Sequence, residues 1–223
     1  MSGHEPADTW RGSSEHVHAL NDLALIAGTR GDYPASESLF RRALLKGRKT
    51  LGDQHPTVAM TLNGLSRVLF EQGRYDEAAS ALQDALKIAL PALGREHPLV
   101  AIYSINLASV HLARNEAGAA EALLRQALPV RVRAPGVVPN RRRTFPEDDW
   151  SVGATKSLLG AALTALARYE EAESMLLEAD RDLQTTPAPQ GRDAKATVKR
   201  LVVLYEAWGR SDRAAAFRAR LSS

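Results

Sequence analysis

The sequence lacks cysteine altogether, and this absence excludes disulfide bonds and metal sites built on thiolates. It also lacks any apolar run that approaches the ~20 residues needed for a membrane-spanning helix. Residues 1–14 are polar and contain no apolar core of the kind that a secretory signal peptide has. Together these absences predict a cytoplasmic protein that has no membrane partner.

A strong excess of charge of one sign is also missing. Lysine and arginine total 29 and aspartate and glutamate total 26, so the formal net charge is only +3. Aromatic residues make up 5% of the chain, which leaves few rings for stacking on nucleic-acid bases. We therefore expect no nucleic-acid partner.

Motifs that carry catalysis or hold cofactors are absent from the sequence as well. There is no glycine-rich phosphate loop, no nucleophile elbow and no His-Glu-x-x-His metal motif. His16 and His18 lie close together, but no third ligand stands at a suitable spacing, so a metal pair is disfavoured. The sequence predicts a protein that is not an enzyme and that uses no cofactor or metal.

What the chain does contain is an internal repeat. The segment His55–Ala59 recurs as His97–Ala101, which sets a period of 42 residues. Arg74–Ala78 reappears as Arg168–Ala172 at an offset of 94, which is 42 + 52, so ten residues are inserted after the third repeat. The pattern predicts five repeats, which begin near Val17, Thr57, Leu99, Gly153 and Lys195.

Each repeat carries two helical patterns. In repeat two, Val58, Leu62 and Leu65 recur at steps of three and four residues, which is typical of one helical face. Gly73 ends this first helix, and a second helix follows. Pro91 lies inside the second pattern, so we expect that helix to stop near residue 90 or to kink. A single helix pair cannot bury its apolar face alone, and stacked neighbours must complete the core.

At these residues the sequence resembles the tetratricopeptide repeat, and specifically the 42-residue kinesin-light-chain type. Repeat two supplies nearly the whole family pattern, in the segments His55–Ala59, Leu62–Leu65, Gly73–Ala78, Ala85–Ile88 and Leu93–Gly94. The resemblance implies an all-α fold, an α-solenoid of about five helix-turn-helix units that form a right-handed superhelix. The array would span residues 17–223 and follow a polar flexible segment at residues 1–16.

The resemblance also implies a function, that of a protein–protein interaction scaffold. In this family the first helix of each unit lines a concave groove that holds a peptide or a partner helix. Carrying the groove positions onto this chain gives the candidate binding residues Asn21, Asn63, Arg67, Asn106, Lys199 and Arg200. The carboxamides suit a peptide backbone, and the cations suit acidic side chains on the partner. The alternative function is a regulatory module for a separate effector, such as a kinase or a DNA-binding subunit.

The insert at residues 131–150 combines prolines with two blocks of opposite charge. Prolines break helices, so we expect a loop. The favoured interpretation is a solvated loop in which Arg141–Arg143 and Glu147–Asp149 neutralise each other. The other interpretation is a basic hook for an anionic partner.

Overall fold

The computed structural model describes residues 7–133, 150–184 and 191–222, and this part of the chain is helical throughout. Its ten helices come in consecutive pairs and no strand lies among them. The helices are α1 (Ala7–Thr29), α2 (Tyr33–Leu51), α3 (Pro56–Glu71), α4 (Tyr75–Leu93), α5 (Pro98–Ala113), α6 (Ala117–Arg133), α7 (Trp150–Ala165), α8 (Tyr169–Gln184), α9 (Gly191–Ala207) and α10 (Ser211–Ser222). The five helix pairs confirm the predicted all-α fold with about five repeats.

The chain divides into two compact bodies, an N-terminal body at Met1–Arg95 and a C-terminal body at Glu96–Ser223. The N-terminal body holds α1 to α4, and the C-terminal body holds α5 to α10. In each body the two helices of a pair pack on each other, and the second helix of a pair also packs on the first helix of the next pair. Each body therefore builds its core between neighbouring repeats, as the repeat pattern requires.

The turn inside each pair has the same backbone conformation in all five repeats. One residue takes a positive φ, at Gly31, Gly73, Asn115, Ala167 and Gly209, with φ values between 56° and 82°. The amide of the following residue donates to a carbonyl five positions earlier, for example Arg74 N to Leu69 O at 2.9 Å. This is the glycine-type helix ending that satisfies the last carbonyls of a helix. Asn115 and Ala167 adopt it without the freedom that glycine has.

Two histidines cap the first helices of repeats two and three. The Nδ1 atoms of His55 and His97 accept hydrogen bonds from the amides of Thr57 and Leu99, each at 3.1 Å. A proline follows each histidine at the first helical position, where the missing N–H costs no hydrogen bond. The repeated His-Pro pair therefore marks helix starts.

For Pro91 the structure overturns the expected stop near residue 90, and the expected kink stays a prediction. Helix α4 continues through this proline to Leu93 and ends at Gly94, whose amide donates to the Leu90 carbonyl at 3.0 Å. Pro91 and Lys87 are both solvent-exposed, so water can satisfy the Lys87 carbonyl that would otherwise accept from residue 91. One lost bond near the end of a long helix does not terminate it.

Two boundaries also differ from the sequence expectation. Helix α1 begins at Ala7, so the boundary at residue 16 does not coincide with the start of a helix. Helix α6 extends to Arg133, and Arg131, which we expected in the inserted loop, is buried and donates a hydrogen bond to Ser151. The rest of the insert, residues 134–149, lies outside the described residues, and the predicted domain division stays a prediction.

Candidate peptide-binding face

The first helices of neighbouring repeats form the more tightly associated layer in each body. In the N-terminal body the backbone of α1 packs closely on that of α3, whereas α2 and α4 are joined by side chains, as in the ion pair of Arg41 with Glu77. In the C-terminal body α7 packs closely on both α5 and α9, while α6, α8 and α10 are joined by ion pairs such as that of Arg125 with Glu171. Neighbouring repeats thus join their first helices by close packing and their second helices by ion pairs.

Asn21, the first candidate binding residue, is a buried link between first helices. Its side chain is 2% exposed, and Nδ2 donates to Thr61 Oγ1 at 3.0 Å. The same arrangement recurs in the C-terminal body, where Thr197 Oγ1 lies 2.8 Å from Ser157 Oγ, again 40 residues apart. The repetition shows that this position ties one first helix to the next, and it leaves little of Asn21 for a ligand.

Asn63 and Arg67 lie one helical turn apart on α3. Asn63 is half-buried and already takes part in polar contacts, whereas Arg67 is exposed. The Arg67 guanidinium lies over α1, where Nη2 would be 4.0 Å from a Cβ atom added to Gly28. No carboxylate among the described residues forms an ion pair with Arg67, so its charge is available at the surface of the N-terminal body.

Asn106 does not occupy the same repeat position as Asn63. The period of 42 carries residue 63 onto Ile105, so Asn106 is one position later in the helix. One residue corresponds to a rotation of about 100° around a helix, so Asn106 lies on a different face of its own helix from the residue equivalent to Asn63. Ile105 is half-buried and packs against the core of the C-terminal body, and Asn106 is half-buried beside it. The three asparagines therefore do not form one continuous row.

Lys199 and Arg200 differ in accessibility although they are adjacent. Lys199 is exposed and has no carboxylate partner in the described part of the chain. Arg200 is half-buried, and its Nη1 donates to Ser157 Oγ at 2.7 Å. Burial lowers the pKa of Arg200, and the nearby charge of Asp193 only partly opposes this effect. Arg200 mainly extends the buried polar link between α7 and α9, whereas Lys199 can reach a ligand.

Sequence reasoning missed an apolar neighbour of Lys199. Val203 is one of the most exposed large apolar side chains and lies one turn after Lys199 on α9. It occupies the position that Arg67 has in repeat two, because 203 − 67 = 136 = 42 + 52 + 42. This offset was the available signal, since an apolar residue at a surface position of the first helix indicates a contact surface. In the C-terminal body, helix α9 thus presents the cation of Lys199 one turn away from the exposed apolar side chain of Val203.

Several cations on the opposite layer are engaged within the chain. Arg74 Nη1 lies 2.8 Å from Glu37 Oε2 in the N-terminal body, and Arg168 Nη1 lies 2.5 Å from Glu121 Oε1 in the C-terminal body. Burial acts to raise the pKa of Glu37, but hydrogen bonds from arginine side chains outweigh it and the net pKa is lowered. The hydrogen bond from Arg125 is the largest cause that lowers the pKa of Glu121. These pairs join the second helix of one repeat to the turn of the next.

The described helices give no sign of a metal centre or of a membrane span. Among these residues, no three histidine, aspartate or glutamate side chains lie together in a way that could hold a metal ion. No helix in the described segments has the length and apolar character needed to cross a bilayer.

Comparisons with known proteins agree with this architecture. Among solved structures, the chain is similar to the nearly identical TPR-like repeats attributed to a Podosopora anserina kinesin light chain, with 21% identity, a TM-score of 0.70 and 92% of each chain covered. It is also similar to BtubC (BKLC) from P. vanneervenii, with 22% identity, a TM-score of 0.69, and 99% of this chain and 91% of that chain covered. A thermophilic TPR protein of Thermus thermophilus matches at 20% identity and a TM-score of 0.60, over 92% of this chain and 89% of that chain. Identities this low show the fold alone.

Sequence comparison gives the family. No curated protein matches the sequence significantly. The family model for the tetratricopeptide repeat matches residues 15–90 and 68–131, which together span 117 of the 223 residues. This is a repeat fold typical of protein–protein interaction scaffolds. The chain therefore belongs to the tetratricopeptide repeat family.

Proposed function

We propose that the protein is an interaction scaffold that binds an acidic segment of a partner protein on its first-helix layer. The observation that carries the proposal is that two cationic side chains, one in each body, are exposed and lack a carboxylate partner within the described part of the chain. Arg67 and Lys199 are exposed on first helices, and neither has a carboxylate partner among the described residues. A carboxylate supplied by a partner would form a charge-assisted hydrogen bond with either of them.

The candidate residues contribute in different ways. In the N-terminal body Arg67 would hold an acidic side chain, while the half-buried Asn63 offers its carboxamide one turn away. In the C-terminal body Lys199 would hold a carboxylate and Val203 would contact an apolar side chain next to it. Asn21 and Arg200 would support this layer through their links to Thr61 and Ser157 without contacting the partner.

A charge-reversal pull-down from the native host tests the proposal. The full chain is compared with a face variant, Arg67→Glu with Lys199→Glu, and with a control variant, Arg42→Glu with Lys46→Glu, which makes the same charge change at exposed positions of α2. We expect the face variant to retain at most about a tenth of the partner, since a few polar anchors dominate most interfaces. The control variant should retain nearly all of it.

A third arm addresses the basic insert, and the identity of the partner addresses the regulatory alternative. If a variant with alanine at Arg141–Arg143 loses the partner while the face variant keeps it, the binding surface is the insert and the proposal fails. A captured kinase or DNA-binding subunit would support the regulatory role, which otherwise stays a prediction, as does the cytoplasmic location.

A further inference from the structure

An exposed strip on α1 occupies the same repeat positions that form part of the core in repeat two. Leu23 and Ile26 are 53% and 48% exposed, so about half of each side chain meets solvent. The residues 42 positions later, Leu65 and Val68, are both buried. The two pairs are of similar chemical type, so what differs is the presence of a covering neighbour.

The contacts of α3 show what covers this strip in repeat two. At one end of the strip, a Cβ atom added to Gly64 would meet the ring of Phe40 from α2. At the other end, the side chain of Gln72 hydrogen-bonds with Glu37, also on α2. The strip from residue 64 to residue 72 therefore faces the preceding helix pair. The same positions of α7, Leu159 and Ala162, share a core cluster with Leu124 of α6.

The corresponding strip on α1 has a self-complementary arrangement of charge. Shifting the strip back by 42 residues gives Asp22, Leu23, Ile26 and Arg30, all of which are exposed. Asp22 and Arg30 stand eight residues apart, about 12 Å along the helix, with Ile26 midway between them. Neither charge has an ion-pair partner among the described residues. A second α1 that runs antiparallel about a two-fold axis at Ile26 would place its Arg30 opposite Asp22.

Helix α10 does not offer a surface that is complementary to the apolar strip on α1. Residues 40, 124 and 176 are apolar and pack at the contact with the following repeat of their own body, but the same position of α10 is Arg218. The Arg218 side chain is 57% exposed and pairs with Glu206. A head-to-tail contact would bury this exposed ion pair against an apolar strip, and the cost of taking both charges out of water can exceed their attraction. The symmetric contact buries apolar side chains on both copies and pairs every charge.

We propose that two copies of this protein associate through α1, antiparallel and symmetric, with Leu23 and Ile26 at the centre. Asp22 of each copy pairs with Arg30 of the other. The contact is formed largely by one helix from each copy, so it is a small interface and the dimer forms reversibly with rising concentration. It is independent of the partner-binding face, which lies at other positions of the first helices.

Charge exchange across the interface gives a sharp test by sedimentation velocity, at concentrations that span about a hundredfold range. The full chain should shift from monomer towards dimer. Asp22→Arg places two arginines opposite each other and Arg30→Asp places two aspartates opposite each other, so each variant alone should stay monomeric. An equimolar mixture of these two variants should form a heterodimer, because every contact across the two-fold axis is then a pair of opposite charges. The double exchange should dimerise by itself.

Changes in the apolar centre provide the matched control. Leu23→Glu with Ile26→Glu should be monomeric at every concentration, and no mixing partner should restore association. The side chains of Asp22, Leu23, Ile26 and Arg30 are all exposed in the monomer. All variants should therefore keep the helical circular dichroism and the melting midpoint of dilute wild-type protein. A wild type that stays monomeric over the whole range would overturn the proposal. A mixture of the two single variants that stays monomeric, or a dimer that persists in each of them alone, would also overturn it.

Discussion

The contact between Gly64 and Phe40 allows a quantitative prediction about how neighbouring repeats fit together. A Cβ atom added to Gly64 would lie 2.4 Å from Cε1 and 2.6 Å from Cζ of Phe40, about 1 Å inside normal contact distance. Phe40 is only 1% exposed, so its ring has little room to move away. Alanine is a better helix former than glycine by about 1 kcal/mol, but overpacking of this kind costs about 1–3 kcal/mol. We therefore expect Gly64→Ala to destabilise the protein by about 1 kcal/mol, the middle of the difference of about 0–2 kcal/mol between the two effects.

The C-terminal body shows how the same contact is filled differently. The positions equivalent to Phe40 and Gly64 are Leu124 and Leu158, and Leu158 packs on the cluster that contains Leu124. A large residue opposite glycine is thus replaced by two residues of middle size. Phe40→Leu alone should cost about 1 kcal/mol, because it leaves space at the contact. In that background Gly64→Ala should become neutral or stabilising, since the methyl group now fits and the helix gains an alanine.

The double-mutant cycle is measured by urea unfolding followed by circular dichroism, with all four proteins compared by their midpoints at a common slope. Midpoints from one probe are the appropriate comparison because repeat arrays can depart from two-state unfolding. If Gly64→Ala has the same effect in both backgrounds within about 0.5 kcal/mol, the two positions are uncoupled and the packing argument fails.

Two further predictions concern the turns and the ion pairs. Gly73→Ala should lower the melting midpoint, equivalent to about 1 kcal/mol, whereas Ala167→Gly should leave it unchanged or raise it, because both positions have φ above +50°; a loss in Ala167→Gly as large as that in Gly73→Ala would contradict this. Glu121 has a pKa lowered by Arg125 and Arg168, so its stabilising effect is present above its ordinary pKa of 4.5 and is lost as the pH falls through the lower folded-state value. The stability difference between wild type and Glu121→Gln should therefore be present at neutral pH and vanish in acid, and urea titrations across pH that show it persisting in acid would refute the assignment.

Much of the fold follows from the sequence because the same helix-start and turn residues recur at equivalent positions of several repeats. The period of 42 aligns the helix starts at His55 and His97 and the turn at Gly73 with their equivalents, and the helices begin and end accordingly. Single residues taken out of this alignment are misleading. Pro91 and Arg131, judged by their own propensities alone, look like a helix breaker and a loop charge. The alignment places Arg131 at the core position of Gly47, Ala89 and Leu183, which is where the structure has it.

The candidate binding residues are harder to predict because the repeat position of a residue does not determine whether a neighbouring helix covers its side chain. Asn21 and Asn63 are equivalent in sequence, yet the structure buries the first against Thr61 and leaves the second half-buried. The register also matters, since Asn106 fits the row only if a shift of one residue is ignored. A pattern of polar residues on first helices indicates the layer, but the packing of the neighbouring helix decides which members remain accessible.

The residues that share the repeat position of Asn21 differ in role because a following first helix covers some of them and not others. At Asn21 and Ser157 a following first helix supplies a hydroxyl, and both side chains are buried in links between helices. At Lys199, the same position of repeat five, no further first helix follows among the described residues, and the side chain is exposed. A lysine buried in that row would lack a compensating charge, whereas an exposed lysine costs little and can meet a partner. The binding hypothesis therefore depends on Lys199 and Arg67, which are exposed and have no carboxylate partner among the described residues, more than on the asparagines that first suggested it.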